Sequence, residues 1–151
     1  MPLLSVWVLG GVTPGAMAGE WMTSALDQHG MLWRSSPAAV HTEVAAVRWL
    51  KQMFEIPEEW AGTTTSGATM SNMVGLSAGR QWVGEALGFN PALDGLAGNP
   101  AIPVVSSTEI HSSAIKALGH LGLGKSVIRK VRANGGSVDL DALEAELDII
   151  D

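Results

Sequence analysis

The sequence predicts an α/β domain with a mainly parallel sheet and flanking helices, preceded by N-terminal helices. Three observations predict it. From residue 61 onward, short apolar or β-branched runs alternate with stretches of helical periodicity, the pattern of strand–helix–strand units. Before residue 60 the chain carries two helix-start signals, Thr13-Pro14 and Ser36-Pro37, each followed by apolar residues at helical spacing. Between these regions a turn, Thr63 to Asn72, gathers hydroxyl side chains and Gly67 just ahead of an apolar helical pattern. The expected organisation is therefore a helical segment over residues 1–60 leading into the first part of a larger domain over residues 61–151.

Taken in order, residues 3–9 are an apolar run of strand length, ended by Gly10-Gly11. Thr13 is placed to cap a helix and Pro14 to start it. Met17, Trp21, Ala25 and Gln28 then share a face, with Gly30 as the expected stop. After a loop over Trp33 to Ser36, a second helix begins at Pro37. Its Val40, Val44, Val47, Leu50 and Phe54 recur at helical spacing and predict one buried stripe. Gly62 to Thr65 reads as a short strand and Ala68 to about Leu87 as a helix. Residues 88–101, with Gly88, Asn90-Pro91, Gly95, Gly98 and Asn99-Pro100, read as a surface loop. Ile102 to Ser106 reads as a strand that tolerates Pro103 only at its start or on an edge. A helix over Ser112 to Leu121, a strand over Ser126 to Val131, a turn at Asn134-Gly135-Gly136 and a helix over Asp139 to Leu147 complete the chain.

Composition excludes several function classes. The chain has 151 residues, 46% hydrophobic and 16% charged, which is a globular balance. Its formal net charge of −6 argues against a nucleic-acid partner. Lys125, Arg129, Lys130 and Arg132 cluster, but acidic residues from Asp139 onward follow at once. There is no cysteine, so a disulfide framework, a thiolate metal site and a cysteine nucleophile are all excluded. Leu3 to Val12 is apolar, yet no Lys or Arg precedes Arg34, so the positive start of a secretory signal is missing. No apolar run reaches bilayer-spanning length. The expected location is cytoplasmic.

Two stretches carry chemistry. In Thr65-Ser66-Gly67-Ala68-Thr69-Met70-Ser71-Asn72 a turn opens a helix, whose free N–H groups and positive dipole end suit an anion. Such a turn is also, more commonly, plain helix capping. About 40 residues later comes Ser107-Thr108-Glu109-Ile110-His111-Ser112-Ser113, with His111 at a strand–helix junction, where a histidine most often makes local hydrogen bonds. His29, His41 and His120 read as surface or loop groups, and no pair of histidines shows metal-ligand spacing on a shared face. No G-x-S-x-G elbow surrounds Ser66 or Ser112, which argues against a serine hydrolase.

Together these stretches, in this order, with Ala78-Gly79-Arg80 between them and Leu121-Gly122-Leu123-Gly124 after them, resemble the group II pyridoxal-phosphate-dependent decarboxylases, the family of aromatic-amino-acid and glutamate decarboxylases. Upstream, Trp33, Ser36-Pro37-Ala38, Glu43 and Trp49-Leu50 are similar to the family's helix before the cofactor domain. Downstream, Val138 to Glu144 is similar to a later family helix. The resemblance runs from roughly residue 6 to residue 148. It implies part of the large domain of the fold-type-I pyridoxal-phosphate enzymes, with pyridoxal 5′-phosphate as cofactor. It further implies that Ala68 and Thr69 hold the phosphate and that His111 stacks on the pyridine ring as the catalytic residue. An amino-acid substrate and a homodimer are implied by the same analogy, with no membrane or nucleic-acid partner. Ala68 stands where the family more often has glycine, and Gly79 where it more often has alanine.

The resemblance also implies a lysine that carries the cofactor and a carboxylate facing the pyridine nitrogen, both well after the histidine segment. Lys51, Lys116, Lys125 and Lys130 are the chain's lysines, and none directly follows a histidine. The expectation is that the chain corresponds to a piece of such an enzyme, truncated at both ends and inactive alone. Two alternatives stand beside it. One is another fold-type-I enzyme, such as an aminotransferase, desulfurase or lyase. The other is a non-catalytic fragment that binds a partner chain through an exposed sheet edge.

Overall fold

The computed structural model describes residues 11–30 and 32–150, so the strand expected over residues 3–9 lies outside the described residues. The chain divides into two compact units, one running to Thr64 and the other from Thr65 onward.

In the first unit, helix α1 spans Pro14–Leu26. Thr13 caps it as the sequence requires: its Oγ1 accepts the Ala16 N–H at 3.2 Å, and Pro14 fills the first helical position. The helix stops before Gly30, because Asp27 turns into the left-handed region at φ 45°. Asp is among the few residues with a side chain short enough to occupy that region readily. Helix α2 spans Pro37–Met53. Its apolar stripe is only partly covered: Val40 and Val47 are half-buried, while Val44, Leu50 and Phe54 are exposed. The expected buried stripe is thus corrected. Periodicity fixes which face is apolar, but burial needs a layer to lie on it, and in this unit segment 58–63 lines only part of that face.

The strand expected over Gly62 to Thr65 is absent. The segment is irregular and has no ladder partner among the described residues. Its polar groups turn to one carboxylate instead. Glu43 Oε1 accepts the Thr64 N–H at 2.7 Å, the Thr64 hydroxyl at 2.9 Å and the Thr63 hydroxyl at 3.0 Å. The Thr64 backbone bond above all, and then the two hydroxyls, hold the Glu43 carboxyl below its usual range against a smaller effect of burial.

The second unit is built on a strand–helix–strand element. Strand β1 (Val104–Ser107) pairs in parallel with β2 (Ile128–Val131), in register from Val104 opposite Ile128 to Ser107 opposite Val131. Helix α4 (Ser112–His120) connects them, and helix α3 (Ala68–Ala86) packs against α4. β1 begins just after Pro103, which has no N–H to give a ladder. A small antiparallel ribbon follows, β3 (Ala133–Asn134) with β4 (Ser137–Val138). Its turn is Gly135-Gly136 at φ 58° and 88°, the pair of positive φ values that two-residue hairpins demand. Helix α5 (Leu140–Leu147) is capped by Asp139, whose Oδ1 accepts the Ala142 N–H at 3.1 Å and whose Oδ2 binds Arg132. The buried apolar core comprises Ile102, Ala117, Leu118 and Val131, between α4 and the strands it joins.

The loop over residues 88–101 is fastened to α3. Pro91 is buried against Gly84, and Gln81 Nε2 donates to Asn90 Oδ1 at 3.0 Å. A Cβ on Gly84 would overlap the Pro91 ring, 2.6 Å from its Cδ, whereas a Cβ on Gly79 would meet nothing within 4 Å. The two helical glycines therefore predict opposite outcomes in urea denaturation. Gly84→Ala lowers stability by about 1–3 kcal/mol through overpacking, and Gly79→Ala raises it by about 0.5–1 kcal/mol through helix propensity. For Glu43, whose folded-state carboxyl lies below its unfolded value, the stabilisation is full above the unfolded value of 4.5 and is lost as pH falls through the depressed folded value. Urea midpoints of the wild type and Glu43→Gln should accordingly differ at pH 7 and converge in acid.

Candidate functional site

A helix start leaves its first N–H groups without intrahelical acceptors, and something must satisfy them. At α3 the capping position is Gly67, which supplies no side-chain hydrogen bond. The first internal bond of this helix runs from Ser71 N–H to the Gly67 carbonyl at 3.0 Å, which leaves the N–H groups of Ala68, Thr69 and Met70 ahead of it. Ala68 and Thr69 are exposed. The Thr65 hydroxyl donates to the Gly67 carbonyl at 3.2 Å and closes the turn from the other side. Gly67 itself is extended, a conformation open to any residue, and a Cβ there would meet no protein atom within 4 Å. Neither backbone conformation nor packing within the chain requires glycine at this point. The space beside Gly67 is open.

The start of α4 is capped differently. His111 sits at the capping position, and its Nδ1 accepts the Ser113 N–H at 3.2 Å and lies 2.7 Å from the Ser113 hydroxyl. Ser113 is buried while His111 is exposed. The ring is thus anchored through one nitrogen, with its remaining surface free.

Two side chains of α3 hold α4. Asn72 Nδ2 donates to Ser113 Oγ at 2.8 Å, and Arg80 Nη1 donates to the Leu121 carbonyl at 2.9 Å. Arg80 follows Asn72 by eight residues and Leu121 follows Ser113 by eight, so the helices run parallel with a register fixed at two points. Both N-termini therefore lie at the same end of the pair. The structure brings the Ala68-Thr69 helix start and His111 to that shared end. Of the other histidines, His120 closes α4, and within the first unit His41 packs edge-on against Trp33 at 4.4 Å between ring centroids.

Comparison with known proteins gives the family of the chain. The family model for the pyridoxal-dependent decarboxylase conserved domain matches residues 9–149. The chain belongs to the pyridoxal-dependent decarboxylase family. Tryptophan decarboxylase 1 of Oryza sativa subsp. japonica is 29% identical over 148 residues, covering 88% of this chain and 29% of that protein. The glutamate decarboxylase domain of diaminobutyrate-pyruvate transaminase and L-2,4-diaminobutyrate decarboxylase from Vibrio parahaemolyticus superposes with a TM-score of 0.77 at 29% identity, over 91% of this chain and 30% of that one. Oryza sativa TDC with PLP and tryptamine gives 0.72 at 26% identity, over 91% and 30%. The chain thus spans under a third of the length of these relatives. Pyridoxal phosphate is the cofactor of the family, and the parallel strand–helix–strand unit is a portion of its fold-type-I domain.

Sequence reasoning singled out Ala68, Thr69 and His111 but gave Asn72 and Arg80 no role and Ser113 no firm one. The available signal was their spacing: Asn72 and Arg80 share one face of α3, as two polar residues eight apart do on any helix. Arg80→Met, which keeps the stem and removes the donor, should cost about 2 kcal/mol in urea denaturation. It should also speed hydrogen exchange selectively at the C-terminal turn of α4.

Proposed function

We propose that residues 61–151 are the first part of the cofactor-binding large domain of a pyridoxal-phosphate-dependent amino-acid decarboxylase, with residues 1–60 as the helical segment that leads into it. The N–H groups of Ala68 and Thr69 and the Thr69 hydroxyl take the cofactor phosphate, and His111 stacks its imidazole on the pyridine ring as the catalytic residue. The observation that carries this reading is the parallel register of α3 and α4, which presents an uncapped helix start and an anchored imidazole at one end of a helix pair. The open space at Gly67 supports it from the side of packing.

The chemistry divides between cofactor and protein. When bound, pyridoxal phosphate supplies an electron sink for the carbon that loses carbon dioxide. The chain's own residues bind and orient. Backbone N–H groups at a helix start meet a phosphate without a side-chain charge, and the helix dipole adds to the attraction. The hydroxyl of Thr69 adds a charge-assisted hydrogen bond. His111, held at Nδ1, offers a flat surface whose tilt is set by α4 rather than by the ligand. In this reading the lysine that carries the cofactor is none of Lys51, Lys116, Lys125 and Lys130, and the chain alone binds the cofactor without turning it over. A free α-amino acid as substrate, a cytoplasmic homodimer as the working assembly, and no membrane or nucleic-acid partner complete the proposal. No helix among the described residues is long and apolar enough to cross a membrane.

Pyridoxine 5′-phosphate has no aldehyde, so its binding to the full chain reports the cradle alone. Calorimetric titration should give saturable binding that is at least about tenfold tighter than for pyridoxine, and Thr69→Val should weaken it about tenfold, the worth of one charge-assisted hydrogen bond. Equal affinity for pyridoxine and its phosphate, or an unaffected Thr69→Val, would contradict the assignment.

A further inference from the structure

The geometry points to Asn72 and Ser113 as positioning residues that lock the His111 ring in its Nε2–H tautomer. This inference rests on the reading of His111 as the ring platform, and it deepens that reading by assigning the proton on the imidazole.

A neutral imidazole has one N–H and one acceptor nitrogen, and which is which follows from the partners of each. Here a backbone donor biases the choice and a side-chain relay fixes it. The Ser113 N–H points at His111 Nδ1 at 3.2 Å as part of the α4 cap. A backbone N–H can only donate, so in this cap Nδ1 presents its lone pair, but at 3.2 Å this is the longer and weaker of the two contacts to that nitrogen and leaves the lock to the hydroxyl. The Ser113 hydroxyl, 2.7 Å from the same nitrogen, must then also donate to it. That hydroxyl has one proton, so its oxygen is left to accept, and Asn72 Nδ2 fills that role at 2.8 Å. The reverse orientation of the Asn72 amide would turn its oxygen toward Ser113 Oγ and draw the hydroxyl proton away from Nδ1. The relay therefore has one direction: Asn72 amide to Ser113 oxygen, Ser113 hydroxyl to His111 Nδ1. The ring proton is left on Nε2, the nitrogen facing away from the cap.

Burial gives the relay its force. Ser113 is 6% exposed, so its hydroxyl has no ready water to substitute for either partner. The relay also reaches from α3 to α4, so the helix whose start faces the ligand phosphate fixes the proton position on the ring that faces the ligand.

The test reads the tautomer directly. Long-range proton–nitrogen correlation spectra of the uniformly nitrogen-15-labelled full chain report which ring nitrogen carries the proton, with His111→Gln identifying the signals. The wild type should show a non-protonated Nδ1 and a protonated Nε2. Ser113→Ala should mix the tautomers, and Ser113→Thr, which keeps the hydroxyl, should restore the wild-type pattern. Asn72→Asp, of equal shape but able only to accept, should raise the Nδ1–H population. A merely structural role for these side chains would leave the nitrogen signals unmoved. A protonated Nδ1 in the wild type overturns the inference without any variant. So does an unchanged pattern in folded Ser113→Ala and Asn72→Asp. The measurement is made without ligand, so failure of pyridoxine 5′-phosphate to bind would sink the cofactor reading and leave the tautomer result standing. In the same variants, weaker binding of pyridoxine 5′-phosphate by Ser113→Ala, rescued by Ser113→Thr, links the lock to the ligand. Unchanged affinity limits Ser113 to the cap and overturns its positioning role.

Discussion

The hydrogen bond between Asn72 and Ser113 sets where one helix start lies relative to the other. It crosses 41 positions of sequence and joins the two helices near their N-terminal ends. Repeated by Arg80 and the Leu121 carbonyl at the other end of α4, it makes a parallel pair whose axial register cannot slip without breaking both bonds. Helix–helix packing alone tolerates small translations, because apolar ridges slide in their grooves at modest cost. Directional bonds at two points remove that freedom. The position of His111 relative to the Ala68-Thr69 turn follows from this constraint.

Beside these tethers lies the apolar core of the second unit. Ile102, Ala117, Leu118 and Val131 are its buried apolar residues, while Trp21, Trp49, Phe54, Trp60 and Trp82 are among the large side chains left exposed. Satisfied polar contacts are directional and specify one arrangement. In the first unit the same principle operates at Glu43, where one carboxylate oxygen gathers two hydroxyls and a backbone N–H and gives order to a segment that has no strand beside it among the described residues. Hydrogen bonds to a charged acceptor are the stronger kind, and three on one oxygen hold the segment at a single place.

Much of this was legible in the sequence, for physical reasons that differ by element. Thr13-Pro14 marks the start of α1 because both residues act through local geometry, and α3 begins at Ala68 because a glycine turn precedes an apolar period. The placement of His111 at a strand–helix junction held to the residue. The parallel strands and the Gly135-Gly136 turn also follow from local pattern. What was not legible is whatever needs a distant partner. Thr63 to Thr65 has the β-branched composition of a strand, but composition does not supply a neighbour, and Glu43 takes the place of one. Val44, Leu50 and Phe54 keep helical spacing, and no layer among the described residues covers them. The stop of α1 at Asp27 rather than Gly30 turned on the tolerance of one side chain for positive φ. Asn72 and Ser113 stood in the two stretches that the sequence singled out, but nothing local says that they touch.

In the proposed function the starts of α3 and α4 form one ligand-facing surface. Amide chemical-shift mapping of the labelled full chain during titration with pyridoxine 5′-phosphate tests it most directly. The largest changes should fall at Ala68, Thr69 and Met70, joined by the His111 ring and Ser113, all with one saturation curve. Changes centred instead on the basic residues Lys125, Arg129, Lys130 and Arg132, with the two helix starts unmoved, would contradict it.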